Sequence, residues 1–311
     1  MGYQNVKTPR FYIDKSIYFR VTGQFTPEND FEANFTDLNP SHITQYDESF
    51  GIDMPTFGSS LNYVAFLGHD AGTMYPEWLD ENNENYNIGG TEIVNYHVSS
   101  DFEMGGYTLL EFPYDDTYPK IRAWVSIDGV GSYMGAISIG QYYDMPVAPD
   151  LSLSLEHDYS GIKKTTSMSG ASFSNANWIK PPKWGDKEAW QLGDFPRLYS
   201  GRRIWDLSFS YISDTDLEPR NYTGTKLDDS NNPVPSDDNW FENVLHYTMG
   251  GHLPFIFQPN KDATYSWTDT IPAHIAEIPE FAICRFDMNS FEREQVAPGV
   301  YNIKIKVKES W

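Results

Sequence analysis

The chain has 311 residues, of which 40% are hydrophobic and 16% aromatic. That is enough apolar material to build substantial cores, which argues against a disordered protein. Its 44 acidic residues outnumber the 22 basic ones, and the formal net charge of -22 opposes binding to nucleic acid phosphates and anionic membranes. The many Tyr and Phe residues favour β-strands over helical bundles. We therefore expect a mainly β protein with no specific nucleic-acid binding.

Residues 1–58 are predicted to form a short strand followed by an extended arm. The strand covers Phe11 to Arg20. The arm, Thr26 to Gly58, is rich in Asn, Asp, Glu, Pro and Ser, and its apolar residues fit neither the helical nor the strand period. Neither the amino terminus nor any later stretch has the apolar run of a secretion signal or a membrane helix. We expect no secretion signal and no membrane insertion.

Residues 59–145 predict a β-sandwich of the jelly-roll type, because candidate strands follow one another closely with Gly and Asp between them. On one of these strands, Arg122, Trp124 and Ser126 face one way and the alternating apolar residues from Ile121 to Ile127 face the other. The candidate strands are residues 63–67, 92–98, 107–112, 121–127 and 134–139.

Residues 146–311 are predicted to form a second β-sandwich that contains one helix. A first strand alternates Leu151, Leu153 and Leu155 with polar residues. A second strand is predicted to bury one apolar face. That face consists of Trp205, Leu207, Phe209 and Tyr211.

The helix is predicted over residues 238–249. Five residues recur on one side at helical spacing, and Gly250-Gly251 supplies a left-handed stop. The five residues are Trp240, Phe241, Val244, Leu245 and Thr248. Ser236, Asp237 and Asp238 are available as amino-terminal caps.

The terminal strand alternates apolar residues with a row of lysines. Tyr301, Ile303, Ile305 and Val307 form its apolar face. Lys304, Lys306 and Lys308 form a basic face on an acidic protein, which makes them candidates for contact with a neighbouring subunit. The alternative is a solvated edge strand whose lysines prevent stray pairing.

No catalytic or cofactor motif is found in the sequence. Cys284 is the only cysteine and looks like a small buried residue, and the seven histidines show no zinc-ligand spacing. We expect no enzyme activity, no cofactor and no metal site. Calcium binding is left open by acidic pairs in turn-like segments. These pairs are Asp80-Glu81, Asp115-Asp116, Asp228-Asp229 and Asp237-Asp238.

Aromatic residues within a polar segment form a candidate glycan contact. Tyr75, Trp78 and Tyr86 flank a run of Asp, Glu and Asn residues, a mixture of flat apolar faces and hydrogen-bonding groups that suits sugar rings. The alternative is a loop held in place by its own aromatic side chains, or a protein contact.

Several phrases of the sequence resemble a family of uncharacterised proteins of tailed bacteriophages, many of them marine. The phrases are residues 2–14 (GYQNVKTPRFYID), 62–69 (NYVAFLGH), 140–146 (GQYYDMP), 200–211 (SGRRIWDLSFSY), 281–286 (FAICRF) and 294–298 (EQVAP). The resemblance extends over the full length of the chain.

A more remote resemblance concerns architecture. The order of the carboxy-terminal elements resembles minor tail and distal tail proteins, and residues 61–142 resemble an inserted galactose-binding-like jelly roll. This resemblance implies a tail-tube-like sandwich that forms a homo-oligomeric ring at the tail tip with other phage tail proteins, and a module that contacts host-surface glycan. It implies a virion protein made in the host cytoplasm. The alternatives are a capsid or head–tail connector protein, a dedicated glycan-binding receptor protein and, most remotely, a glycan-degrading enzyme.

Overall fold

A computed structural model describes fourteen segments of the chain. They are residues 6–28, 30–38, 44–69, 73–88, 95–99, 106–126, 132–151, 153–158, 162–176, 202–218, 226–227, 233–234, 239–263 and 281–310.

The described chain is mainly β, as the composition predicts. The strands are β1 (Arg10–Asp14), β2 (Thr44–Tyr46), β3 (Phe50–Pro55), β4 (Tyr63–His69), β5 (Thr73–Leu79), β6 (Asn85–Asn87), β7 (Asn95–Ser99), β8 (Gly106–Glu111), β9 (Lys120–Ser126), β10 (Ser132–Met134), β11 (Ala136–Asp144), β12 (Ser154–Asp158), β13 (Ile162–Thr166), β14 (Ser172–Ala176), β15 (Arg202–Ser213), β16 (Lys226–Leu227), β17 (Pro233–Val234), β18 (Phe255–Gln258), β19 (Ala282–Phe286), β20 (Arg293–Ala297) and β21 (Val300–Glu309). The helices are α1 (Lys15–Val21), α2 (Asp30–Ala33), α3 (Asp214–Leu217) and a π-helix (Phe241–His246).

The largest sheet is antiparallel and has the strand order β12-β15-β21-β19-β18-β1-β11-β4-β8-β7, with β20 also paired to β21. Strand β1 lies between β11 and β18. All three predicted segments, 1–58, 59–145 and 146–311, therefore contribute strands to one hydrogen-bonded sheet. The division of the chain into domains at these boundaries stays a prediction.

A four-stranded sheet with the order β3-β9-β5-β6 packs its inner face into the same core as the large sheet. Ile52 on β3 and Ile121 on β9 are fully buried, and they join one apolar cluster with Phe11 and Val64 of the large sheet. Burying an aliphatic side chain of this size stabilises the fold by about 1.5–3 kcal/mol. The core therefore lies between two sheets, as in a β-sandwich.

The prediction of an extended arm over residues 26–58 is wrong for the second half of this segment, which contains β2 and β3. Strand β3 pairs along β9 and buries Ile52 and Met54 while the intervening residues remain partly exposed. Its period-2 pattern is only six residues long and follows a long polar stretch. The pairing with β9, more than 60 residues away, is what makes this segment a strand.

The predicted first strand is also too long, because β1 ends at Asp14 and α1 follows at once. The Asp14 Oδ1 atom accepts a hydrogen bond from the Ile17 N–H at 3.0 Å, which caps the amino end of the helix. A single well-placed cap here overrides the strand-like run of apolar residues from Ile17 to Phe19.

The predicted helix at residues 238–249 is present but shorter. It forms a π-helix at Phe241–His246 and buries Trp240, Val244 and Thr248 on its predicted face. Gly250 has a φ of 68° and Gly251 a φ of 97°, which confirms the left-handed stop.

The amino-terminal cap of this helix is Asn239. Its Oδ1 atom accepts from the Glu242 N–H and its Nδ2 donates to the Glu242 Oε2, each at 2.9 Å. Ser236, Asp237 and Asp238, the predicted caps, lie outside the described residues.

Strand β15 buries Trp205, Leu207 and Phe209 as predicted, but Tyr211 is 77% exposed. A bulge between Phe209 and Ile212 shifts the register by one residue, and Tyr211 adopts a φ of 61°. Ile212 takes the inward position instead.

The preceding strand is shorter than the leucine alternation predicts. Strand β12 begins at Ser154, Leu151 is fully exposed, and Leu155 is more than one-third exposed. The alternation is present in the sequence, but among the described strands β12 pairs with β15 alone, and four of its five residues are exposed.

Candidate functional site

The outer face of the four-stranded sheet brings aromatic and charged side chains into register. Side chains alternate along a strand, so the residues of β9 that alternate with buried Ile121 and Val125 face outward. Trp124 lies opposite Gly51 of β3 and Tyr75 of β5. We call this face the platform. It consists of Gly51, Asp53, Tyr75, Glu77, Arg122 and Trp124.

A bidentate ion pair occupies the middle of the platform. Arg122 Nε donates to Asp53 Oδ1 at 2.5 Å, and Arg122 Nη2 donates to Asp53 Oδ2 at 2.7 Å. The hydrogen bonds that Arg122 donates to Asp53 raise the pKa of Arg122 above its ordinary value. The planar fork is therefore held rigidly in one orientation, and both oxygens of Asp53 are used.

Glu77 lies on the other side of Arg122 and is only 7% exposed. Its Oε2 atom is buried and has no hydrogen-bond partner among the described residues. Burial raises the pKa of the Glu77 carboxyl, and the positive charge of Arg122 partly counteracts this effect. Leaving a buried acceptor unsatisfied costs about 1–3 kcal/mol, so a donor supplied from outside would restore that amount.

Gly51 sets the position of the two largest side chains of the platform. A Cβ atom built at this position would lie 2.8 Å from Arg122 Cδ and 2.9 Å from Trp124 Cε3. Any larger residue at position 51 would have to displace both side chains. The indole of Trp124 and the aliphatic stem of Arg122 therefore lie directly against the β3 backbone at Gly51, and Trp124 remains partly exposed.

The platform combines two partly exposed aromatic rings with fixed hydrogen-bonding groups. Aromatic faces pack against flat apolar surfaces, whereas carboxylate oxygens accept and guanidinium N–H groups donate hydrogen bonds. These properties match a ligand that has both an apolar ring face and hydroxyl groups.

Of the three aromatic residues predicted as glycan contacts, the structure brings only Tyr75 to the platform. Trp78 is on the opposite face of β5, is 4% exposed and stacks on Tyr118 with ring centroids 5.9 Å apart and an interplanar angle of 9°. Tyr86 is exposed on β6, with its ring centroid 5.1 Å from that of Tyr118. Trp78 is therefore a core residue and offers no surface for stacking.

The polar segment between Trp78 and Tyr86 is the turn of a β-hairpin formed by β5 and β6. Asp80 Oδ1 accepts hydrogen bonds from the Asn82 and Glu84 N–H groups, each at 2.8 Å. These bonds hold the turn locally.

Sequence reasoning identified Tyr75 as a candidate contact but missed the other five platform residues as parts of a site. The alternation along β9 does predict that Arg122 and Trp124 share one face, opposite the face of Ile121 and Val125. No pattern in the sequence shows that Asp53 and Glu77 lie on either side of Arg122, because both pairings are long-range. Strand β5 was not predicted, because Pro76 and the neighbouring polar residues argue against a strand in this segment.

The terminal lysines lie on an interior strand. Strand β21 pairs with β15 along one side and with β19 and β20 along the other, so the edge-strand alternative is wrong. Lys308 Nζ lies 2.7 Å from Asp158 Oδ2, and Lys306 Nζ lies 3.5 Å from Asp287 Oδ2. Within the described ranges Lys304 is exposed and forms no ion pair. Contact with a neighbouring subunit stays a prediction for this face.

A two-stranded hairpin, formed by β13 and β14, follows the edge strand β12. We call residues 162–176 the hairpin arm. Its described side chains, those of residues 163–174, are all exposed except for the partly exposed Ser167, and they include Phe173 and, at the turn, Met168. It contains Lys163 and Lys164 but no acidic residue.

Three further observations concern metal ions, membranes and the cysteine thiol. Across the described segments, no three His, Cys, Asp or Glu side chains gather closely enough to hold a metal ion. None of the helices in the same segments is long and apolar enough to cross a membrane. Cys284 is fully buried, as predicted, and burial raises the pKa of its thiol well above the ordinary value.

Comparisons with known proteins identify no family. No family model matches the chain, and no curated protein matches it. One solved structure, a DUF4466 family protein from Parabacteroides merdae, is similar over 88% of this chain and 100% of that chain, with 9% sequence identity and a TM-score of 0.20. A likeness this weak carries no argument about fold or function.

Proposed function

We propose that this protein is a structural component of a bacteriophage tail, a distal-tail or baseplate-like ring subunit at the tail tip that acts by assembly. The sequence phrases quoted above support this proposal, and the mainly β architecture agrees with it. The observation that carries the assembly role is the exposed hairpin arm.

An isolated two-stranded hairpin is at best marginally stable in water. The hairpin arm pairs with no other strand in the described part of the chain, and it exposes Phe173 on a strand and Met168 at its turn. Packing these side chains against a second copy would stabilise the hairpin arm. Lys163 and Lys164 would meet a surface of opposite sign, because the chain as a whole carries a net charge of -22.

The test is the oligomeric state of the purified protein. We expect a ring by electron microscopy and light scattering, and we expect the double variant Met168→Ser, Phe173→Ser to dissociate it. The matched control is Val21→Ser, Val296→Ser, which replaces two exposed apolar residues outside the hairpin arm. A wild type that is monomeric at all concentrations, or a ring unaffected by the hairpin variant, would contradict the assembly role.

Location in the particle separates the tail from the capsid and connector alternatives. A tag inserted at Gly170, in the turn of the hairpin arm, should label the tail end of assembled particles. Label on the capsid shell or at the head–tail junction would favour the alternatives instead.

Contact with host-surface glycan is a second proposal. The platform favours it because two partly exposed aromatic rings and a rigid guanidinium fork share one face of the sheet, beside a buried carboxylate oxygen that has no partner in the described structure. Binding of the intact protein to an array of bacterial surface glycans tests this proposal independently of assembly.

A further inference from the structure

We infer that the platform binds a neutral pyranose unit, with the sugar ring against Trp124 and Tyr75 and a sugar hydroxyl donating to Glu77 Oε2. This inference rests on the proposed glycan contact and names its residues and its ligand class. It moves the contact from Trp78, which is buried, to the outer face of the same sheet.

Glu77 provides the observation that points to a ligand. The side chain is more than nine-tenths buried beside the Arg122–Asp53 ion pair, yet its Oε2 atom has no partner in the described structure. Buried polar atoms in native proteins are nearly always hydrogen-bonded. A hydroxyl group of a bound sugar would donate to this oxygen without bringing in a second charge.

The arrangement of charges selects against anionic ligands. The fork of Arg122 is already occupied by both oxygens of Asp53, so it does not offer the free bidentate site that carboxylates and phosphates require. Asp53 balances Arg122, and Glu77 adds a further negative charge to an acidic protein. Sialylated or uronic acid sugars would therefore be repelled, whereas a neutral sugar would not.

The two aromatic residues supply the apolar part of the site. Trp124 and Tyr75 are directly opposite each other on β9 and β5, and both are partly exposed. The next register pair on the same face of these two strands is Arg122 and Glu77, so the stacking surface and the hydrogen-bonding groups are adjacent. This adjacency is the geometry by which a ring face and its hydroxyl groups can be bound together.

The experiment is titration calorimetry with the neutral and the sialylated glycans of an array, on the full chain and on platform variants. We expect Trp124→Ala to weaken binding of the neutral glycan by about ten-fold and Glu77→Gln by about five-fold. Gly51→Ala should also weaken binding, because the added Cβ displaces Trp124 and Arg122. Tyr211→Ala, which removes an exposed aromatic ring from β15, is the matched control and should leave binding unchanged.

Each outcome decides a different statement. If folded Trp124→Ala and Glu77→Gln bind the neutral glycan as well as wild type does, the platform is not the site, although the proposed glycan contact stands. Binding of sialylated glycans alone would overturn the ligand class. Absence of any glycan binding would overturn both the site and the proposed glycan contact, and would leave the assembly role untouched. Should Trp124→Ala fail to fold, Tyr75→Ser provides the same comparison from β5.

Discussion

Two arginine–carboxylate groups in this protein differ in whether all their buried charged atoms have hydrogen-bond partners among the described residues. In the core, Arg10 Nη1 donates to Glu111 Oε1 at 2.6 Å, and Arg10 Nε donates to Asp144 Oδ1 at 2.5 Å. The guanidinium lies 4.1 Å from the ring centroid of Tyr142, and the Tyr12 hydroxyl donates to Glu111 at 2.5 Å. None of the charged atoms of this core group is left buried without a partner in the described structure.

On the platform, Arg122 is paired just as closely with Asp53, but the neighbouring Glu77 has a buried oxygen without a partner in the same described structure. The core group is complete by itself, as a purely structural network must be to offset the cost of burying charge. A donor from outside would complete the platform. This difference between the two regions is the basis of the proposed glycan contact.

The core group also connects distant parts of the chain. Arg10, Glu111 and Asp144 come from β1, β8 and β11, and the Tyr12 hydroxyl oxygen also lies 3.0 Å from Gln258 Oε1 of β18. These bonds join strands from all three segments that the sequence predicts, 1–58, 59–145 and 146–311.

The largest expected effect comes from removing Arg10. Arg10→Ala leaves Glu111 and Asp144 without their cation, and we expect the free energy of unfolding to fall by about 3–5 kcal/mol. Arg122→Ala, the matched control on the partly exposed platform, should cost about 1 kcal/mol or less. Urea denaturation of both variants measures the difference. Equal losses would show that the two groups do not differ in the way proposed.

A second test concerns Asp14, a buried carboxylate that is held by hydroxyl and amide donors. Its Oδ1 atom accepts from Ser16 Oγ at 2.5 Å and from the Ile17 N–H. Burial raises the pKa of Asp14 from 3.8 to about 6. The folded state therefore binds a proton more tightly than the unfolded state, so this contribution to stability is complete below about pH 4 and is lost as the pH rises through 6.

We expect wild type to gain up to about 3 kcal/mol relative to Asp14→Asn between pH 7 and pH 4. The measurement is the difference between the two proteins in urea denaturation at each pH. His69 serves as an opposite control: burial lowers its pKa to about 4, so its contribution is lost as the pH falls from 6.5 through 4. A difference between wild type and Asp14→Asn that does not change with pH would refute the assignment to Asp14.

The smallest expected effect concerns the lysines of the terminal strand. Lys308→Glu would place a second negative charge beside that of Asp158, and we expect a loss of about 1 kcal/mol in the free energy of unfolding. Lys304→Glu should leave monomer stability nearly unchanged, since Lys304 is exposed and lies opposite Ser208. If Lys304→Glu nevertheless weakens the assembled ring, the lysine face contacts a neighbouring subunit; a ring of unchanged stability would argue against that contact.

The sequence predicted those strands that carry their own alternation. Ile303, Ile305 and Val307 on β21, and Ile121, Ala123 and Val125 on β9, are buried where their period-2 pattern places them. The helix stop at Gly250-Gly251 is equally local. In each case the pattern that predicts the element lies within about ten consecutive residues.

The errors occurred where a distant partner or a single side chain decides the outcome. Strand β3 depends on pairing with β9, α1 depends on the cap at Asp14, and a bulge before Ile212 turns Tyr211 outward. The candidate site follows the same rule. Tyr75 was predicted as a contact, but its neighbours on the platform could not be read from any local pattern.

By itself, the sequence determined that this is an acidic, mainly β protein, and it determined which face of several strands is apolar, because composition and alternation act locally. Only the tertiary structure decided that Trp78 is in the core, that β21 is an interior strand, and that Glu77 and Asp53 lie on either side of Arg122. These features depend on which strands pair and in what register. A shift of one residue would move every side chain to the opposite face, so no local pattern can specify them.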